Sequence, residues 1–451
     1  MNRNDKHAGA RAFTHPALAI ALAMGTIAGT ALVSDPAMAA KAKAEQTPKL
    51  KLSPAFQAAI AASIKSFQKN DFETSKTELA ASEALIQSND DRFQYHSMML
   101  NIGLSIKDTP MQIKGLRGML DTGLVPPDKV GQYSSIVSDA VRQNEEHDAA
   151  ISYARMAQAA GYSPAQVYPL LAQAQWGKAG KKNLSAEPQR SLVVEGLTNF
   201  RKGIEALQAS GQPVPSQWFQ VAIGKADAAG LPEIKQWAQW AFEAEPNGEN
   251  LRTILRIFQR ENPTMTNREN LDLLRLMHWS GGLALSADFS EYAEMAGKSG
   301  IFGEVLAVID EGKRNGVLGS AGGGEFYSTA SQEVAGDKAS LPTAEADSRK
   351  AATGKIAAAT GAAYLGYANY AKAIELYQLA LQKGSVDANE VNTHIGIAMA
   401  KNGDKPGALE AFAKVQGPIR GQLARYWADY VTRRAAASAA AAAPAAAPSA
   451  Q

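Results

Sequence analysis

The sequence predicts an all-α fold, a solenoid of antiparallel helix pairs, on three observations. The composition is Ala-rich, with 45% apolar residues but only 7% aromatics, which favours helices over sheets. A length of 451 residues suits two or three ordinary domains, or one elongated array that never closes on a single core. Near the C-terminus a pattern of small and large residues returns after 35 positions, from Gly361 to Gly396, and self-similarity at such an interval marks stacked supersecondary units.

Composition also excludes. With no cysteine, disulfide scaffolds, thiolate metal sites, iron–sulfur clusters and cysteine nucleophiles are ruled out. Lys and Arg number 46 against 44 Asp and Glu, a net charge of +2. So small an excess argues against a phosphate-tracking surface, and nucleic acid is not an expected partner.

The first element, residues 1–39, reads as a signal peptide. Arg3, Lys6 and Arg11 precede an apolar small-residue run from Ala17 to Val33, then Pro36 and the small pair Ala37 and Ala39, the order of a secretory signal cleaved after Ala39. Cleavage removes three basic and two acidic residues, leaving 43 against 42 and a net charge of +1. The stretch that follows, AKAKAEQTPK, lacks the cysteine that a bacterial lipoprotein anchor needs. No later segment except the weakly hydrophobic C-terminal Ala run approaches a membrane span. The expected location is therefore the periplasm or the exterior, without a lipid anchor or an integral membrane segment. Residues 40–52 are expected to be a flexible lead-in.

Residues 53–316 are expected to hold degenerate helix pairs. Arg142–Gly161 places Ala150, Ile151, Tyr153 and Ala157 at the positions that recur downstream, and the stretch from Gln68 to Leu85 repeats the layout with Phe72, Leu79 and Ser82. Ser216–Asn247 supplies Trp218, Val221 and Ala222 on one helix, then Ala238 and Ala241 on the next. Counted together with the two clear copies downstream, about nine pairs follow from this spacing. Residues 317–353, rich in Gly, Ser and Ala, read as a linker or as a polar helix from about Glu325 that Pro342 would interrupt.

Residues 354–417 carry the clearest pair. Gly361, Tyr364, Ala373, Tyr377 and Ala380 recur as Gly396, Met399, Ala408, Phe412 and Val415. Each type has a packing reason: the glycines let two helices approach, the alanines make room opposite, and the large residues fill the seam. This pair resembles the tetratricopeptide repeat, with its small and large residues on the first helix, A-x3-F on the second and a closing proline, here Pro418. The resemblance implies a right-handed superhelix with a groove lined by first helices. In 418–434, Ile419, Leu423, Trp427 and Tyr430 form a stripe with Arg420, Arg425 and Asp429 off it, which reads as a terminal capping helix. Residues 435–451, twelve of them Ala and none charged, are expected to be without fixed structure.

Motifs of catalysis are weak. His96, His147, His278 and His394 lie too far apart in sequence for a zinc motif. Ser66-Phe-Gln-Lys69 fits S-x2-K, but neither S-D-N nor K-T-G follows. Gly297-Lys-Ser299 suggests a phosphate loop, yet Tyr292 stands where the upstream glycine belongs. The acidic pairs Asp90-Asp91 and Glu145-Glu146 fall at helix starts or turns, where a carboxylate caps free N–H groups. No cofactor or metal is implied.

Binding signals are stronger. Trp218, Trp237 and Trp240 fall in one unit; Trp237 borders the apolar stripe and Trp240 lies off it, as a partner anchor would. Some tetratricopeptide proteins grip a partner's C-terminal carboxylate with Lys and Asn on adjacent first helices, but the corresponding positions here are Ala358, Ala362, Thr393 and Ile397. The expected function is a non-catalytic exported scaffold that binds a protein or peptide partner in the bacterial cell envelope. The alternative is an enzyme acting on peptidoglycan or polysaccharide, or an export accessory, with the solenoid as substrate track; against it stands the lack of a non-repeat block large enough for a catalytic domain.

Overall fold

The computed structural model describes residues 49–442, and side chains as far as Arg434. The stretch expected to be a signal sequence, with Ala37 and Ala39, lies outside the described residues, as does the last part of the Ala/Pro tail. Among the described residues there are twenty α-helices and no strand. The chain divides into two compact units, one ending at Ile234 and one beginning at Lys235.

The N-terminal unit contains α1 (Pro54–Gln68), α2 (Phe72–Ser82), α3 (Asn89–Ser105), α4 (Thr109–Asp121), α5 (Pro127–Gln143), α6 (His147–Ala159), α7 (Pro164–Ala179), α8 (Ala186–Ala209) and α9 (Ser216–Ala228). Consecutive helices pack as the pairs α1/α2, α3/α4, α5/α6 and α7/α8. Phe56, Ile60 and Leu79 join Tyr95, Met98 and Ile102 in one core cluster. Leu116, Val137, Ala150, Tyr153 and Leu171 belong to the next.

The turns inside the first three of these pairs share one geometry. Asn70, Lys107 and Glu145 adopt left-handed backbone with φ of 62°, 58° and 61°. The residue after each donates its N–H back across the turn, as Asp71 to Ser66, Asp108 to Gly103 and Glu146 to Val141. This is the six-to-one bond of the Schellman motif, which satisfies carbonyls that a helix end would leave orphaned. Asp71 and Asp108 then cap the next helix through Thr74 N and Met111 N. In the second unit Ala368 and Gly403 take the same conformation before the caps Asn369 and Asp404. At these turns the chain reverses by one repeated backbone device, with different side chains at each use.

Of the expected flexible lead-in 40–52, residues 40–48 lie outside the described residues, and the last four are held against α1 and its neighbours. Leu50 and Leu52 pack against the two cores, and Ser53 donates from both N and Oγ to the buried Asp91 carboxylate at 2.8 and 2.9 Å. Asp91 also accepts from Gln87 N and Ser88 N. Burial would push this carboxyl up, but the bonds from Ser53, Gln87 and Ser88 outweigh it and hold it below the ordinary value.

The C-terminal unit contains α10 (Ile234–Ala244), α11 (Gly248–Glu261), α12 (Asn267–Trp279), α13 (Ser286–Lys298), α14 (Phe302–Arg314), α15 (Gly324–Lys350), α16 (Lys355–Gly366), α17 (Tyr370–Lys383), α18 (Ala388–Lys401), α19 (Lys405–Ala413) and α20 (Arg420–Ala442). The stretch weighed as linker or polar helix is the helix α15, which runs through Pro342. Pro342 and Lys338 are exposed, so the carbonyl that the proline leaves without an N–H faces water. Helix α20 continues to Ala442, past the expected end at 434, because Ala prolongs an established helix at least cost.

Ala373, Ala380 and Ala408 are fully buried, and Tyr377 and Phe412 are 1% and 3% exposed. Gly361 and Gly396 are buried, while Tyr364 and Met399 are half-buried. A Cβ on Gly396 would lie 2.5 Å from the Phe412 ring, and one on Gly361 would lie 3.2 Å from Tyr377. The small residue is therefore a condition of the ring's position.

In an open array each repeat meets only its neighbours. Here α20 packs on α12 as well as on α18 and α19. Trp427 stacks on Trp279 and donates Nε1 to the Asp272 carbonyl at 3.1 Å, and Tyr426 meets Phe258 of α11 edge-on. Arg420, expected off the buried stripe, is 7% exposed. Within the C-terminal unit α20 thus packs beyond its chain neighbours, onto α12.

Candidate functional site

Helix α12 is the axis of the C-terminal unit. All seven residues from Leu271 to Met277 are buried, including Asp272 and Arg275, and a helix buried all round has to pair any charge it carries. Asp272 Oδ1 accepts from Arg275 at 2.8 Å and lies 3.0 Å from His394 Nε2, while Oδ2 accepts from Arg420 at 2.7 Å. Arg275 donates further to Glu304, which also accepts from Tyr292. Burial alone would raise the Asp272 carboxyl; His394, Arg275 and Arg420 override it and hold it well below the usual carboxylate range. Burial would likewise favour a neutral Arg275, but Glu304 and Asp272 hold it firmly protonated.

Above this network lies a cavity of about 570 Å³, within the range of small-ligand and peptide pockets. One wall is the face of α16 made by Ala358, Ala359, Ala362 and Ala363. Arg275, Tyr377 and His394 contribute from α12, α17 and α18, and Arg268, Lys355 and Glu390 add charge. The alanines leave this volume open because no longer side chain fills it. Of the four positions corresponding to a carboxylate clamp, Ala358 and Ala362 line the cavity, whereas Thr393 and Ile397 are fully buried. On α18 it is Glu390, Val391 and His394 that reach it.

The tryptophans divide. Trp218, in the N-terminal unit, is 8% exposed and lies 5.0 Å from Phe200. Trp237, in the C-terminal unit, is 3% exposed. Both rings are spent on the interior, since large aromatics placed on a buried stripe gain most by packing there. Trp240, half-buried and edge-on to Trp237 at 5.0 Å, keeps an accessible edge. Within the C-terminal unit, Trp237 and Trp240 are in contact with each other.

Ser66 Oγ donates to Glu78 at 2.7 Å, and Lys298 pairs with Glu294. Asp91 caps α3 in a capping box with Ser88. Glu145 and Glu146, expected to cap, instead pair with Lys181 and Arg117, because Glu145 occupies the left-handed turn position and Glu146 makes no side-chain cap. Among the described residues no group of three or more His, Asp and Glu is placed to hold a metal ion. No helix among them is long and apolar enough to cross a membrane.

Sequence reasoning passed over the Asp272–Arg275–Arg420 network. Its signal was present in Leu-Asp-Leu-Leu-Arg-Leu-Met (271–277), where an acid and a base three apart interrupt an otherwise apolar run, the spacing of a helical ion pair. Compared with known protein families and with curated proteins, the chain matches none.

Proposed function

We propose that the protein is an exported, non-catalytic scaffold of tetratricopeptide type that holds a protein or peptide partner of the bacterial cell envelope. The observation that supports it is the cavity beside α16, whose alanine wall leaves room for another chain's side chains while charged residues stand around it. Concave, mostly preformed sites of this size bind by shape, with a few polar groups setting orientation. The tetratricopeptide reading adds the expectation that first helices, here α16 and α18, carry the binding face. Export rests on the arrangement of residues 1–39 and places the partner in the envelope.

The test is capture of partners from envelope extracts by the chain beginning at Ala40, with Ala362→Met to fill the cavity and Trp240→Ala to remove the accessible indole edge. A partner held in the cavity is lost with Ala362→Met while helicity and melting stay unchanged. Capture undiminished by that variant removes the cavity from the proposal. Loss with Trp240→Ala alone would move the binding face to α10. Incubation with purified peptidoglycan checks the non-catalytic part: released fragments, abolished by one Glu or Asp substitution, would overturn it. Mass spectrometry of the exported chain should find Ala40 at its N-terminus.

A further inference from the structure

Two imidazoles of the N-terminal unit are seated with one nitrogen unmatched. His96 Nδ1 and His147 Nδ1 are buried and have no hydrogen-bond partner among the described residues. Each ring stands in a seam between consecutive helices, His96 of α3 against α4 and His147 of α6 against α7. Glycine makes both seats: a Cβ on Gly118 of α4 would collide with His96 Nδ1, and one on Gly177 of α7 with His147 Nδ1. With only a hydrogen on that Cα, the ring comes close enough to shut water away from the nitrogen.

A neutral ring tolerates this place, because a bare Nδ1 is no more than an unmatched acceptor. Protonation turns it into a buried N–H of a cation with nothing to accept it, a far costlier group to bury. The histidines of the C-terminal unit are placed differently: His278 Nε2 faces Glu311 at 2.7 Å and His394 Nε2 faces Asp272 at 3.0 Å.

The charges around the two seats do not supply the missing acceptor. Near His96 stand Lys114 and Asp121 of α4, Glu83 ahead of α3, and Arg92 of α3 itself; near His147 stand Lys181 beyond α7, Arg142 of α5, and Glu145 and Asp148 beside it in the chain. Each of these carboxylates is engaged, Glu83 with Tyr95, Asp121 with Tyr153, Glu145 with Lys181 and Asp148 with Lys178. Burial pushes both imidazoles below their ordinary value; Lys114 and Lys181 push the same way, and the carboxylates only partly offset them. A ring released to solvent takes its proton at about pH 6.5, and the seated ring only below that. The opened form therefore binds more protons, so the stability each seat supplies is complete above about pH 6.5 and lost as pH falls below it.

Independently of the scaffold reading, we propose that His96 and His147 are proton-operated catches of the N-terminal unit. In mild acid each ring leaves its glycine, and the seams α3/α4 and α6/α7 open while the C-terminal unit keeps its packing.

The test follows the full chain from about pH 7.5 to about pH 5, the range in which histidine changes charge. Hydrogen exchange, corrected for the pH dependence of intrinsic exchange, reads the seams; NMR of isotope-labelled histidine rings, assigned with His96→Gln and His147→Gln, reads the titrations. Both rings should titrate below about pH 6.5, and protection of α3/α4 and α6/α7 should fall up to about ten-fold for each unit of that difference. Protection of α12 and α18 should stay constant over the same range. Glutamine keeps a polar side chain but cannot gain the proton, so His96→Gln should flatten the pH profile of α3/α4 alone and His147→Gln that of α6/α7 alone. If a variant fails to fold, the ring titrations of the unaltered chain still decide. Titration of either ring at or above about pH 6.5, seams whose protection does not change with pH, an acid response that persists in the matching Gln variant, or a loss spread evenly over both units overturns the inference.

Discussion

Replacing Asp272 by Asn removes one charge from a site with no water to compensate it. Asp272 is fully buried, and its two oxygens meet Arg275, His394 and Arg420 at 2.7 to 3.0 Å. Each charge-assisted hydrogen bond is worth about 1.5–3 kcal/mol. The loss is smaller than their sum, because Arg275 keeps Glu304 at 2.8 Å and Arg420 keeps Glu390 at 3.8 Å. Asn also retains the shape and one acceptor. Breaking a buried pair from one side costs about 3–5 kcal/mol, and that range is expected here. In a unit of this size, about 2–4 °C of melting temperature follows each kcal/mol, so melting of the C-terminal unit should fall by roughly 6–20 °C. Hydrogen exchange read by mass spectrometry separates the units: protection should drop in α12, α18 and α20 and stay unchanged in α1–α8. Glu410→Ala, which removes the exposed Lys414 pair, is the control and should cost less than about 1 kcal/mol. A loss below about 1 kcal/mol for Asp272→Asn, or deprotection spread evenly over both units, would refute the argument that this carboxylate ties α20 to α12.

Three further outcomes follow from the packing. Gly396→Ala should destabilise by about 1–3 kcal/mol through overpacking, because the new methyl lies 2.5 Å from Phe412. Gly361→Ala, at 3.2 Å from Tyr377, should cost less than about 1 kcal/mol once the better helix propensity of Ala is counted; denaturant titration of both, with Phe412→Leu as rescue of the first, checks the order. Asp91→Ala should cost about 2–4 kcal/mol, since it strips Ser53, Gln87 and Ser88 of their acceptor, and should raise exchange at Ser53 before the rest of the N-terminal unit. Acid titration should weaken the C-terminal unit. Asp272 and Asp288 are both held below their unfolded values, Asp288 by bonds from Arg252, Leu285, Ala284 and Arg256 that outweigh its burial. The unfolded chain therefore binds more protons, and the stability these groups supply is complete above about pH 4 and lost as pH falls below it. A flat denaturation midpoint from pH 5 to pH 2 would contradict this.

Much of the helical layout was legible because it depends on residues near one another in sequence. Gly396 and Phe412, or Ala373 and Tyr377, lie within one helix pair, so their spacing on a 3.6-residue period already states which surfaces meet. The turn caps Asp71, Asp108 and Asp404 emerged only with the structure. Trp218 and Trp237 show the limit of that approach: residue type marks a large ring, while its burial depends on which neighbouring helix covers it.

The sequence by itself determined the all-helical class, the seams inside the clear pairs and the absence of thiol chemistry, since composition and short-range periodicity suffice for these. Only the tertiary structure decided that Arg420 is buried, that α20 lies against α12, and that a cavity opens beside α16. Asp272 and Arg420 stand 148 residues apart, and no periodic pattern couples positions at that distance. What couples them is the cost of an unpaired charge inside a packed unit, which arises only once the helices around α12 have excluded water.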